Sequence, residues 1–495
     1  MSIVEKLRKR LAILFGCLSA IFASIAIYNY VSAPEISEDD TNVTTQKWDR
    51  DIEQYARKNS KLIFFNTNLS KFKPSKTSKK ILDQHYISVE ISPDTYPADY
   101  FILDSLLARK ARNYRPLQAG ILSPNLHPIY LTSQYSARSS NNAPTLNEAL
   151  VLAINHFEKN PFQLRSTARN ATKFDSLPQS FFSRFHFSDM FKQISFIHTE
   201  TAHLYTYFKS EMCKTDSPAI ISENSRLASK ISALEPNQMI SEQTAKIAIR
   251  QVCNRYPNET STTSKLLYLR AIGDSPLLKN KKSLYSFYIK NIKSFIPKSR
   301  NNDANFVGYK SMAMRDLALM TSVFAKAFSV SGEIKFLKEA EKLATLLENK
   351  IQTSPILPAK IGVDSEASSL EYVLCARAFF DVAKFSNNNK WTQASLNTIS
   401  KWNELFMTDI NLWSINSKKS ALAKYARPII TRDGIVPSYI GEASQLFAEL
   451  GILNNKTGKL LRKISIGVTS DSPLSSHNWA SLKLAMLPQY TPPTL

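Results

Sequence analysis

The sequence predicts an α/β domain followed by a long all-α region, both behind a single apolar segment near the amino terminus. Three observations carry this reading. Strand-like and helix-like stretches alternate from residue 46 to residue 165. Strand signals then fade, and helical periodicity dominates between residues 175 and 490. Ahead of both, Leu11–Val31 is an uncharged run of 21 residues.

At 1.5 Å per residue, a helix over that run just crosses a hydrocarbon core of about 30 Å. Lys6, Arg8, Lys9 and Arg10 precede it. Their charge favours a cytoplasmic basic segment (1–10), a transmembrane anchor (11–31) and an extracytoplasmic bulk, periplasmic in a Gram-negative bacterium. Pro34 directly after "VSA" argues against cleavage there. Residues 32–45, polar and acidic, read as a linker.

The α/β elements follow in order. "WDRDIEQYARKN" (Trp48–Asn59) has helical spacing, and "LIFFN" (Leu62–Asn66) is a short apolar strand. The lysine-rich stretch after it reads as a loop. "ILDQHYISVEIS" (Ile81–Ser92) ends in strand alternation, and "PADYFILDSLLARKA" (Pro97–Ala111) opens a helix on proline. "LQAGILS" and "IYLTSQY" form a hairpin around the turn formers of "PNLHP". Thr145 and Glu148 stand in capping-box spacing at the head of a last helix, Thr145–Asn160. This order is that of a thioredoxin-like domain, over 46–165.

In the all-α region, 175–490, one plan recurs after roughly 57 residues, the length of a helical hairpin with its connection. A polar turn and a Lys–aromatic step, Lys335–Phe336 and then Lys390–Trp391, open an amphipathic helix each time. Paired helices over so long a stretch suit a closed (α/α) toroid.

Composition narrows the function classes. Only 11 glycines occur in 495 residues, and no GxGxxG or P-loop stretch exists to cradle a phosphate. The net charge of +22 suits an anionic partner. Its lysines are spread out, however, and the two clusters, Lys6–Arg10 and Lys71–Lys80, hold a single aromatic between them, Phe72, short of the run of interleaved aromatics that single-stranded nucleic acid requires, so nucleic acid is not favoured. No Cys/His set has metal spacing, and neither metal nor other cofactor is expected.

Several stretches together resemble the YyaL family, also called spermatogenesis-associated protein 20-like. They are "RPLQAGILSPNLHPIYLTSQY", "RFHFSDMFKQISFIHTETAHLY", "SSLEYVLCARAFFDVAKF" and "RPIITRDGIVPSYIGEAS". The resemblance runs from Trp48 nearly to the carboxyl terminus. It implies a thioredoxin-like domain joined to an (α/α)6 toroid of the six-hairpin glycosidase kind. Two departures bear on function. The family's C-x-x-C loop corresponds to "NTNLSKFKPSKTSKK" (Asn66–Lys80), which holds no cysteine. Without a thiolate nucleophile, thiol–disulfide exchange at this loop is excluded. The family's glycine- and aspartate-rich segment also has no counterpart.

Sugar hydrolysis needs two facing carboxyl groups, and epimerisation needs an acid/base pair. The candidates in the toroid are His198, Glu200 with His203 three residues on (the most plausible local pair), Asp364, Glu366, Glu371, Asp433 in "DGIVPS", Glu442 and His477. Glu200 and His203 also have a plainer reading, a solvated helical face, and Asp433 has one as a turn residue. Trp391, Trp402, Trp413 and Trp479 could stack on sugars, but their spacing fits core packing better. The leading expectation is a non-catalytic, membrane-anchored binder of a glycan or anionic envelope ligand. The alternatives are a carbohydrate-active enzyme of epimerase or glycosidase type, and a scaffold in a membrane protein complex.

Overall fold

The computed structural model describes residues 43–49, 51–108, 116–135, 144–159, 201–209, 217–235, 238–297, 309, 312–363, 365–386, 388–408, 412–424, 427–430, 433–434, 436–452, 458–459, 461 and 480–487. The apolar run Leu11–Val31 lies outside them. Among the described residues no helix is long and apolar enough to cross a membrane. The described residues fall into two compact units. One holds residues up to Ile91 and 116–159; the other holds Ser92–Ala108 and everything from 201 on.

The first unit is built on a five-stranded mixed sheet, β1 (Thr45–Gln46), β2 (Leu62–Asn66), β3 (Tyr86–Glu90), β4 (Ala119–Leu122) and β5 (Pro128–Thr132), in the order β1-β3-β2-β4-β5. β3 runs parallel to both β1 and β2, while β4 is antiparallel to β2 and to β5. Helices α1 (Ile52–Lys58), α2 (Lys76–His85) and α4 (Leu146–Lys159) belong to this unit. Parallel strands cannot be joined by a tight turn, so the β2–β3 connection must cross over the sheet. α2 makes that crossover, and it occupies stretches expected to be loop and strand. Ser75 caps it by accepting from Ser78 N, and Ile81 and Leu82 turn inward. They join Leu62, Phe64, Tyr86, Ile121 and Leu150 in one core, where Tyr86 Oη donates to Leu150 O at 2.7 Å. The capping box of α4 forms as spaced: Thr145 N donates to Glu148 Oε2 at 2.9 Å and Glu148 N to Thr145 Oγ1 at 3.3 Å. Gly120 is obligatory, because a Cβ there would lie 2.6 Å from the Phe65 ring and 2.7 Å from Tyr130 O.

The second unit is helical. Its longer helices are α3 (Pro97–Ala108), α5 (Pro218–Leu234), α6 (Met239–Arg255), α7 (Thr262–Gly273), α8 (Lys282–Lys293), α9 (Met314–Ser331), α10 (Ile334–Thr353), α11 (Ser369–Ser386), α12 (Asn389–Phe406), α13 (Tyr439–Glu449) and α14 (Ala480–Met486), together with residues 201–209. Six of them close a ring. α5 packs on α7, α7 on α9, α9 on α11, α11 on α13, α13 on α14, and α14 back on α5. Outside it, α6, α8, α10 and α12 each pair with the ring helix before them in sequence. The ring helices are buried on nearly all sides; Leu266–Gly273 of α7 is covered throughout. The outer helices are amphipathic, burying Phe336, Leu337, Ala340, Leu343 and Leu347 along α10, the i, i+3, i+4 stripe of a helix packed on one side. This arrangement fits an α/α toroid.

Candidate functional site

Ring helices buried on all sides must face some of their residues toward the middle of the unit, and here many of those residues are charged. α5 carries Glu223 and Arg226, α7 carries Arg270, and α13 carries Glu442 and Gln445, all buried. Arg270 grips Glu442 with two parallel hydrogen bonds, both 2.7 Å. Arg226 reaches Glu223 at 2.6 Å, Asp274 at the end of α7 at 2.8 Å, Gln445 Oε1 at 3.1 Å and Glu442 at 3.7 Å. Gln445 Nε2 donates onward to Ser481 O of α14 at 2.8 Å. Farther along α11, Arg377 binds Glu449 at 2.6 Å and Asp381 at 3.2 Å, and Lys384 also pairs with Glu449.

The carboxyls divide by what faces them. Burial opposes ionisation of all of them. For Glu442 the guanidinium of Arg270, backed by Arg226, overcomes that and holds the carboxyl below its ordinary value. Arg377 and Lys384 overcome it at Glu449, which is held down to about 2. Asp433 is the opposite case. Burial and then the neighbouring Glu223 push it up to about 7, although Ser438 N (2.8 Å), Ser481 N (2.9 Å) and Ser481 Oγ (2.5 Å) all donate to it. Glu223 is itself raised by burial, against the pull of Arg226, and its Oε1 has no hydrogen-bond partner.

A second cluster gathers where α7, α9 and α11 begin. Asp316 accepts from Thr263 Oγ1 at 2.5 Å, and Arg315 Nε donates to the same hydroxyl at 3.2 Å. The Arg315 guanidinium also binds Pro93 O and the Asp94 carboxylate. Glu371 sits in this field, raised by burial with Arg315 opposing. Its Oε2 accepts from Ser368 N at 2.7 Å and from Ser368 Oγ, while Ser368 Oγ accepts from Leu370 N. Glu371 thus completes a capping box on α11.

Of the residues singled out from sequence, Glu371 and Asp433 are both buried, but each serves a different helix start. Asp433 ties its turn to the capped end of α13 and to α14. His203 is exposed on the helix of residues 201–209, and His198, Glu200, Asp364 and His477 lie outside the described residues. Trp402 and Trp413 stack on each other at 4.9 Å, and Trp391 stacks on Phe379 at 5.9 Å. All three are buried, so they are core rather than platforms; Trp479 lies outside the described residues. Between α11, α12 and α13, Tyr372, Ala376, Trp402, Leu446 and Phe447 leave an apolar crevice too narrow for a water molecule. Sequence reading missed Glu223, Arg226 and Arg270. The one signal available was the i, i+3 spacing of Glu223 and Arg226 in "SENSR".

In the first unit, the start of α2 holds two hydroxyls three residues apart. Ser75 Oγ and Ser78 Oγ are 2.9 Å from each other, and Ser78 Oγ donates to Asn147 Oδ1.

No protein-family description matches the chain, and neither does any curated protein. Among solved structures it is similar to a crystal structure of D-mannose isomerase, at 10% identity and a TM-score of 0.40, over 57% of this chain and 86% of that one.

Proposed function

We propose that this chain is a non-catalytic binding protein, in which a redox-inactive thioredoxin-like domain and an (α/α)6-type toroid are held at a membrane by Leu11–Val31 and present a basic surface to a glycan or anionic envelope partner. The strand order with its crossover helix supports the first domain, and the closed six-helix ring supports the second. The loop that the YyaL resemblance would furnish with a cysteine pair meets α2 at Ser75 and Ser78, whose hydroxyls cannot exchange disulfides.

One observation carries the non-catalytic reading: three buried carboxylates among the described residues of the helical unit are committed to the fold. Glu371 caps α11, Asp433 joins two helix starts, and Glu442 is gripped by Arg270. The net charge of +22 supports the anionic partner. The raised carboxyl of Asp433 beside Glu223 favours the second reading, a carbohydrate-active enzyme.

A thermal-shift screen of the full chain in detergent, against neutral sugars, nucleotide sugars and acidic oligosaccharides, separates them. Salt-sensitive shifts with acidic ligands alone support the binder. A salt-resistant shift with one sugar class, abolished by Asp433→Asn, overturns it in favour of the enzyme.

A further inference from the structure

The two lysine clusters of the sequence are not equivalent, because the second has a definite place in the fold. Lys71 and Lys73 lie on the loop before α2, and Lys76 and Lys80 lie one turn apart on α2 itself; all four are exposed. Between Thr67 and Lys80 there is no Asp or Glu. The first turn of α2 likewise has no acidic residue. A helix start carries partial positive charge and usually gathers acids, so packing cations there costs stability within this protein alone. A surface that concentrates positive charge against that preference suits an anion-bearing partner.

We infer that Lys71, Lys73, Lys76 and Lys80 form a contact patch for the phosphate groups of an anionic phospholipid surface. The inference rests on the membrane-anchored reading and adds to it which face meets the bilayer. Two observations select lipid over an acidic glycan. The chain between Val31 and β1 is Ser32–Thr44, 13 residues that reach about 45 Å at full extension, so on the anchored reading the sheet unit begins within that distance of the bilayer. The aromatic ring within the patch, Phe72, is half-buried and packs on the buried Phe64 at 5.3 Å, so part of its surface is taken up by the core rather than left for stacking on a sugar. Phosphates need only charge and N–H donors, which lysines supply.

The test uses the full chain in nanodiscs of phosphatidylcholine alone or with a third phosphatidylglycerol, with amine-labelling rates read by mass spectrometry. Lys279 and Lys290, exposed on the helical unit, are the controls. Labelling of Lys71, Lys73, Lys76 and Lys80 is expected to slow severalfold in the anionic discs, to recover in 0.5 M salt, and to leave the controls unchanged. Each lysine changed to glutamine should lower the affinity of the patch for the anionic surface about fivefold, returning most of the lost labelling at the other three. Equal labelling in both discs overturns the patch while leaving the anchor standing. Protection by a soluble acidic oligosaccharide in neutral discs, with none from anionic lipid, overturns the choice of lipid. A chain that does not incorporate into discs at all overturns the anchor and the patch together.

Discussion

Asp433 gives the ring a stability that depends on pH in an unusual direction. Its carboxyl is raised from 3.8 to about 7, first by burial and then by Glu223. The folded state therefore binds this proton more tightly than the unfolded chain does. With more protons bound in the native state, stability is greatest at low pH and falls as pH rises from about 4 to about 7. Three pH units correspond to about 4 kcal/mol, of which roughly 3 kcal/mol falls between pH 5 and 7.5. For a unit of this size that is about 5–10 °C in midpoint. The window matters. Below about pH 4.5 the depressed carboxyls Glu442 and Glu449 lose stability on protonation, which is the opposite sign. Above pH 7.5 Lys230, lowered to about 8 by burial, begins to contribute.

Asp433→Asn removes the titration. It also turns an amide N–H toward Ser481 N–H, a pH-independent loss of about 1–3 kcal/mol. Midpoints of both proteins between pH 5 and 7.5 should therefore converge as pH rises. The wild type declines steeply, and the variant declines only by what Glu223, Glu371 and Asp316, also raised, still contribute. Glu223→Gln should flatten the wild-type decline in part, by removing the like charge. Parallel curves for wild type and Asp433→Asn would refute the assignment of the proton to this group.

Three further outcomes follow from single contacts. Arg270→Met leaves Glu442 buried without its bidentate partner and should cost about 3–5 kcal/mol in urea titration, whereas the double change Arg270→Met with Glu442→Met should recover much of it. Gly120→Ala forces a methyl into the Phe65 ring and Tyr130 O and should cost about 1–3 kcal/mol, most visible in hydrogen exchange of β2 and β4. Ser75→Ala removes the cap of α2 and should cost about 1 kcal/mol, raising exchange at Ser78 N above that at the far end of the helix.

What sequence could show depended on how a segment meets the core. Amphipathic segments declared themselves: α10 and α12 opened at their Lys–aromatic steps, and α4 opened at its capping box. α7 went unread because Leu266–Gly273 is buried on every side and so has no polar face to give a period. α2 was divided between loop and strand, since its lysines look like surface loop and its Ile81 and Leu82 look like the start of β3. Local chemistry was legible at the helix starts. Asp433, singled out from sequence, does stand at a helix start: it accepts from Ser438 N at 2.8 Å, and Ser438 caps α13 by accepting from Gly441 N at 3.3 Å. The ionic core was not legible, because its pairs close over long stretches of chain. Arg270 and Glu442 are 172 residues apart, and Arg226 and Gln445 are 219 apart.

That distance suggests what the buried charges do. An ion pair sealed from water gains little net stability, since desolvation offsets most of its attraction; its loss on removing one partner is large. Such a pair penalises misassembly more than it rewards assembly. Ring helices with smooth apolar faces could slide or rotate against one another at little cost. Here a rotation of α13 would part Arg270 from Glu442 and Gln445 from Arg226 and Ser481, leaving unpaired polar atoms in the interior, while Arg226 keeps Glu223 and Asp274. The network ties α5 to α7 through Arg226, α7 to α13 through Arg270, α13 to α14 through Gln445, and α11 to α13 through Arg377. On this reasoning, replacing Arg270 and Glu442 together by methionine should leave stability near wild type yet broaden the unfolding transition. A double variant that unfolds as sharply as the wild type would show that apolar packing alone fixes the register of the ring.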